Sequence, residues 1–210
     1  MDPSSYLGIL PRGRHGLSRE QVTASQRGRL MLGMAEVVAE KGYAKATVAD
    51  VLKKVHVSRE TFYQHFSDKE DCFLAAFDES ARMLETGVRA AVDEPGLAPR
   101  DRFERALTTY LELMAAEPAL AKVFLTEVYS AGPTAAARRF EVQGRWVQIF
   151  AEMLATDERW RALPDPQFAC RLVVGGIGAL VTARISAGDH TALPELRTPI
   201  LELIDAIGRG

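Results

Sequence analysis

The chain has 210 residues, 47% of them hydrophobic and 26% charged, with a formal net charge of −2. That length suits one large core or two modest ones, and the composition is that of a soluble globular protein rather than a disordered or fibrous one. Its two cysteines, Cys72 and Cys170, lack metal-ligand spacing and read as reduced, packed thiols, and no secretory leader is expected at the N-terminus.

Residues 1–23 read as a flexible basic arm, because Pro3, Gly8, Pro11, Gly13 and Gly16 prevent a long helix. Within it, Arg12, Arg14 and His15 are candidates for a minor-groove contact. A first helix is predicted over 25–40, ended by Gly42. Two short helices follow, over 47–54 and 58–65. Thr47 can cap the first, with Asp50 three residues on reaching back in a capping box. Val48, Val51, Leu52 and Val55 recur at i, i+3, i+4 and i+7, one apolar stripe. Lys53 and Lys54 fall where cations suit the helix dipole. His56 follows at the place where the chain must turn sharply. Ser58 caps the second helix, and Phe62 and Phe66, four apart, hold it to a core. Arg59, Thr61, Tyr63, Gln64 and His65 are left to face outward. A pair of this kind over 47–66 is what a helix-turn-helix needs to seat one helix in the DNA major groove.

Charge supports that placement. Residues 1–69 hold 11 Lys and Arg against 7 Asp and Glu, and the rest of the chain holds 15 against 21. A basic front on an acidic remainder is expected when only the front meets phosphate.

Residues 26–77 resemble the DNA-binding domain of the TetR (TetR/AcrR) family of bacterial transcriptional regulators. The likeness runs through Arg29-Leu30, Ala39-Glu40-Lys41-Gly42-Tyr43, Ala46-Thr47-Val48-Ala49-Asp50-Val51, Val57-Ser58-Arg59-Glu60-Thr61-Phe62-Tyr63-Gln64-His65-Phe66 and Asp68-Lys69-Glu70. One departure is His56, where the family usually places Gly; the resemblance thus implies φ > 0 at this turn, a conformation His tolerates at a cost. The resemblance implies a DNA-binding set of Thr47, Ser58, Arg59, Thr61, Tyr63, Gln64, His65 and Lys69. In it Thr47 bonds a phosphate, and Arg59, Thr61 and Gln64 lie closest to base edges. Tyr63, His65 and Lys69 hold the sugar–phosphate backbone. Glu60 either accepts from cytosine or repels wrong dockings.

Beyond Asp68 the chain reads as helices over about 68–92, 99–116, 118–130, 133–156, 166–187 and 195–208, separated by proline and glycine. No segment alternates with period 2, so the expected fold class is all-α: a three-helix helix-turn-helix domain over 24–84, then a six-helix ligand-binding and dimerisation domain over 85–210. Leu172–Ala183 is the most apolar window, but Arg171 and Arg184 bound it at 12 residues, too short to span a bilayer. Its small residues, Gly175, Ala179 and Ala183 on one face and Gly178, Thr182 and Ser186 beside them, allow close helix approach. Such stripes suit packing within one subunit or between two; because single helix-turn-helix modules usually act as dimers, a homodimer through helices 166–187 and 195–208 is expected, with Leu196, Ile200, Leu203, Ile204 and Ile207 as its apolar seam.

The family resemblance further implies a pocket among the intervening helices for a small apolar effector. Met83, Phe103, Tyr110, Met114, Phe124, Tyr129, Trp146, Phe150 and Met153 are spread over them, with Tyr110, Thr126 and Arg145 as polar anchors. The Phe66–Leu74 junction is the expected lever between pocket and reading head. Four histidines offer no metal pair, and neither a nucleophile elbow nor a Walker loop is present, so no catalytic residue, metal or cofactor is expected. The expected function is a cytoplasmic, ligand-responsive repressor that binds a palindromic double-stranded DNA operator. The competing reading is an all-helical adaptor or small-molecule-binding protein that does not touch DNA.

Overall fold

The computed structural model describes residues 19–207 as helices and short connections, with no strand among the described residues. In chain order these are α1 (Arg19–Lys41), α2 (Val48–Val55), α3 (Arg59–His65), α4 (Lys69–Val92) and α5 (Pro99–Ala116). Next come α6 (Pro118–Lys122), a π-helical turn (Val123–Glu127), α7 (Val128–Ser130), α8 (Pro133–Leu154) and α9 (Glu158–Arg161). The chain ends with α10 (Pro166–Ser186), a 3₁₀ segment (His190–Leu196) and α11 (Arg197–Ile207). The all-α fold expected from the sequence is the fold found.

Boundaries differ where apolar periodicity is silent. α1 begins at Arg19, so the last residues of the expected arm are helical. Residues 19–24 contain neither Gly nor Pro, and residues 20–24 are exposed, so they continue the helix without adding to its apolar stripe. Arg12, Arg14 and His15 lie outside the described residues. The short helix α9 falls in an expected loop; Asp157 caps it and Trp160 is buried. The segment expected as one helix over 118–130 contains the π turn.

The described residues form two compact units, and the chain passes between them three times. The first runs through Met83 and also takes in Ala119–Ala135. The second comprises Leu84–Pro118 and the residues from Ala136 on. The first unit is built on Leu30, Met34 and Val38 of α1, Val51 of α2, Phe62 of α3, Phe66, and Phe73 and Phe77 of α4, all buried. Each such side chain contributes about 1.5–3 kcal/mol on burial. Phe124 of the π turn stacks on Phe77 at 5.4 Å.

In the second unit Phe150 of α8 lies edge-on to Phe103 of α5 at 4.8 Å and to Trp160 at 5.5 Å. Val88, Ala106, Ile149 and Met153 make an apolar cluster, with Val92, Tyr110 and Trp146 packed against it. Ion pairs tie α11 to α5: Arg100 meets Asp205 at 2.5 Å and Glu104 at 2.9 Å, and Arg197 pairs with Glu104. The expected seam on α11 is corrected here. Ile200 and Ile204 point into the protomer's own core with Leu201, and of the seam residues Leu203 is the exposed one. An amphipathic helix has one apolar face, and this one is used inside the subunit.

Helix α10 lies where it is expected, but its apolar stretch extends beyond the 12-residue window 172–183. At 21 residues and mean hydropathy 1.6 it is long and apolar enough to cross a membrane, and only 17% of that stretch is buried. Phe168, Leu172, Gly176, Ala179 and Ala183 are exposed at spacings of three and four, one apolar stripe along the helix. Gly175 and Gly178 instead face Gln143 and Arg139 of α8.

Candidate nucleic-acid interface

Three helices of the first unit frame the site. Thr47 is extended (φ −123°) and caps α2: its Oγ1 accepts the Asp50 N–H at 3.2 Å, and its own N–H donates to Asp50 Oδ2 at 3.1 Å. The capping box written in the sequence is formed. Lys41 adds a 2.6 Å ion pair to Asp50, and this bond, with that of Thr47, holds the carboxyl down at about 2. Lys54 of α2 reaches back to Glu40 at 2.6 Å and Glu36 at 3.3 Å on α1.

The turn between the helices is left-handed at His56 (φ 54°, ψ 51°), whose N–H donates to the Leu52 carbonyl. Among the described residues it is the one non-glycine with positive φ. The φ > 0 expected at this position is found, and the residue that departs from the family pattern carries the strain. Ser58 caps α3, accepting the Thr61 N–H at 3.0 Å, and the two hydroxyls lie 2.9 Å apart.

Phe62 is buried and anchors α3, which leaves Arg59, Glu60, Tyr63 and Gln64 exposed in one short helix. The Arg59 guanidinium sits 5.5 Å from the Tyr63 ring centre and donates to its hydroxyl at 3.4 Å, which holds the fork outward. Thr61 and His65 are half-buried at the edge of this face.

Two arginines complete the frame, Arg29, which entered the sequence analysis only through the resemblance, and Arg27, which did not enter it. Arg29 of α1 donates to the Val55 carbonyl at the end of α2. Arg27 donates to the His65 carbonyl at the end of α3 at 2.8 Å and lies 4.3 Å over the Phe66 ring. Cations at these C-termini satisfy orphan carbonyls and suit the dipoles. Burial, and next the charge of Arg27, lowers the His65 pKa, so its imidazole is neutral at neutral pH.

Lys69 has intramolecular partners that the sequence did not suggest. Its ammonium donates to the Tyr43 carbonyl at 3.0 Å and the Ala46 carbonyl at 3.2 Å, and lies 4.0 Å over the Tyr43 ring. It is spent on the loop that leads into Thr47. Its place in the sequence, beside the outward residues, gave no sign of that loop. Among the described residues no group of three or more His, Cys, Asp or Glu could hold a metal.

A capped pair of short helices, a left-handed turn between them and a polar row on the second define a helix-turn-helix DNA-binding protein. Residues 33–76 match the family model of the bacterial regulatory proteins, tetR family. Over those residues the chain carries a helix-turn-helix domain of the TetR type, the reading part of a DNA-binding transcriptional regulator.

Among its relatives, the HTH-type transcriptional regulator EthR of Mycolicibacterium smegmatis is 25% identical over 156 residues, 74% of this chain and 70% of that one. The fatty acid degradation regulator FadR from Bacillus halodurans has the same fold, with a TM-score of 0.75 at 20% identity over 91% of this chain and 96% of that one. FadR from Bacillus subtilis, solved in complex with stearoyl-CoA, gives 0.71 at 20% identity over 83% and 95%.

Proposed function

We propose that the protein is a cytoplasmic one-component repressor that binds a palindromic operator as a homodimer and is governed by a small effector held in its C-terminal part. It does no catalysis. The reading domain is assigned to 24–84 and the effector and dimerisation domain to 85–210. The observation that carries the proposal is the outward row on α3, set by two caps and a left-handed turn.

In this reading Arg59 forks onto guanine, Gln64 pairs with adenine, and Thr61 with Ser58 lines the same edge. Thr47, Tyr63 and His65 hold phosphates, His65 as a neutral hydrogen-bonding group. Lys69 acts on DNA through the 42–46 loop. Exposed Lys45 and Lys53 add to the counterions released on binding.

A single short reading helix touches few base pairs, so two copies are needed on half-sites about one helical turn apart. The apolar stripe of α10, with exposed Leu203 on α11, supports the dimer contact. Patches of this kind on soluble proteins mark interaction surfaces.

An effector with an apolar body and a hydrogen-bond acceptor suits the second unit. There Tyr110 lies edge-on to Trp146 at 5.8 Å, and the buried Trp146 indole N–H has no acceptor. Burial pushes the Tyr110 phenol up to about 12, so it also stays a neutral donor. Arg145 is paired with Glu85 at 2.8 Å, and the Thr126 hydroxyl is bonded to the Lys122 carbonyl. Neither is then an anchor. The stearoyl-CoA complex of Bacillus subtilis FadR makes long acyl compounds the first class to try.

The test is selection of duplexes from a random-sequence pool with the full chain, followed by titration of the enriched duplex. A palindromic site bound two chains per duplex, with affinity falling steeply as salt rises, is expected. A well-folded chain that retains no duplex at low salt would favour the adaptor reading.

A further inference from the structure

Residues 119–135 join the first compact unit although they lie beyond α5 in the chain. Two charged side chains of this excursion grip the end of α1. Glu127 Oε2 accepts the Tyr43 backbone N–H at 2.8 Å. Lys122 Nζ donates to the Ala39 carbonyl at 3.2 Å. Each partner is an orphan left by helix termination: the Ala39 carbonyl belongs to the last turn of α1, and the Tyr43 amide lies just past it.

The π turn explains how both residues reach one place. In a regular α-helix, residues five apart lie about 140° around the axis from each other. A π turn closes rings from i to i+5 and brings such residues towards one side. Val123–Glu127 is π-helical, so Lys122 and Glu127 straddle the turn and both meet the end of α1. Gly42 completes the fit: at φ +77° it turns the chain, and the position of its missing Cβ is 3.6 Å from Glu127 Oε2.

What is gripped here leads into the reading pair. The Ala46 N–H donates to the Gly42 carbonyl at 3.1 Å, Lys69 holds the Tyr43 and Ala46 carbonyls, and Thr47 then caps α2. The five residues from 42 to 46 are therefore fixed from two sides, by Glu127 and by Lys69. We propose that Glu127, seconded by Lys122, is a positioning residue for DNA reading, a latch that fixes the 42–46 loop and through it the pose of α2 and α3. The excursion leaves the second unit after Pro118 and returns to it at Ala136. This inference rests on the DNA-reading function proposed above.

The test uses the full chain and the duplex that the wild type enriches from a random pool. In Glu127→Ala, hydrogen exchange at the Tyr43 amide should accelerate at least about tenfold, and affinity for the enriched duplex should fall about tenfold, as expected for loss of a charge-assisted hydrogen bond. Binding to random duplex at low salt should be unchanged. Glu127→Gln keeps a carbonyl acceptor and should stay within about threefold of wild type in both readouts. Lys122→Ala, which leaves the carboxylate in place, should weaken specific binding about threefold.

Unchanged Tyr43 exchange in Glu127→Ala overturns the latch. Faster exchange with undiminished specific affinity overturns its role in reading, as does a Gln variant no better than Ala. Should Glu127→Ala fail to fold, undiminished specific affinity in Lys122→Ala decides against the pair as a unit. Amide exchange is read without DNA, so a wild type that enriches no duplex sinks the DNA-reading function separately from the contact.

Discussion

Gly33 of α1 lies so close to Val55 of α2 that a Cβ on it would stand 2.3 Å from Val55 Cγ1. The Val55 side chain packs directly on the α1 backbone at this glycine, and Val51 Cγ1, 3.7 Å from the same Cβ position, lines the gap. Gly33→Ala should cost about 1–3 kcal/mol, the range for forcing atoms into a packed core. Urea unfolding measures the loss. DNA affinity should fall further than stability alone accounts for, because the intruding methyl tilts α2.

His56 carries the left-handed turn without glycine's freedom. A non-glycine residue in that region costs on the order of 1–3 kcal/mol, partly offset by glycine's greater unfolded-state entropy. His56→Gly should therefore stabilise the protein by about 0.5–1 kcal/mol, and His56→Val, β-branched, should destabilise it by at least as much. Thermal melting of the two variants checks both signs.

Acid should loosen the reading head in two stages. His65, its pKa lowered below the ordinary imidazole value, contributes stability that is present above about pH 6.5 and is lost as the pH falls through its folded value. Asp50, held at about 2 by Lys41 and Thr47, contributes stability that is present above about pH 4 and disappears between there and about pH 2. Urea midpoints against pH should show the lower limb flattened in Asp50→Asn.

The apolar stripe of α10 predicts the state of assembly. Leu172→Glu or Phe168→Glu, each at a position more than half exposed, should leave the helical signal and the melting of the subunit intact. Sedimentation should then report a monomer where the wild type reports a dimer, and affinity for a two-half-site duplex should fall by orders of magnitude while a single half-site is bound as before.

Much of the reading head was legible because its signals are local. Thr47 and Asp50 are three residues apart, Phe62 and Phe66 four, and the strained His56 stands where the pattern of the two helices demands a turn. What escaped was long-range. Arg27 and Arg29 serve carbonyls 38 and 26 residues away, and Glu127 serves an amide 84 residues away. No spacing encodes such partners. The same holds for Lys69, whose carbonyl partners Tyr43 and Ala46 lie 26 and 23 residues away. On α11 the periodicity showed that one face is apolar but not which way it points, so Ile200 and Ile204 were assigned to a dimer seam and lie in the subunit core. The expected lever at Phe66–Leu74 came from chain continuity; the excursion of residues 119–135 into the first unit leaves no trace in local pattern.

The central claim is that α3 reads bases through Arg59, and fluorescence anisotropy with the Arg59→Ala variant tests it most directly. On the enriched duplex the variant should lose about 1–3 kcal/mol, roughly ten- to a hundredfold in affinity, with the base opposite Arg59 no longer discriminated. On random duplex at the same salt it should bind nearly as the wild type does. Equal losses on both duplexes would mean that Arg59 meets only phosphate and that the sequence is read elsewhere.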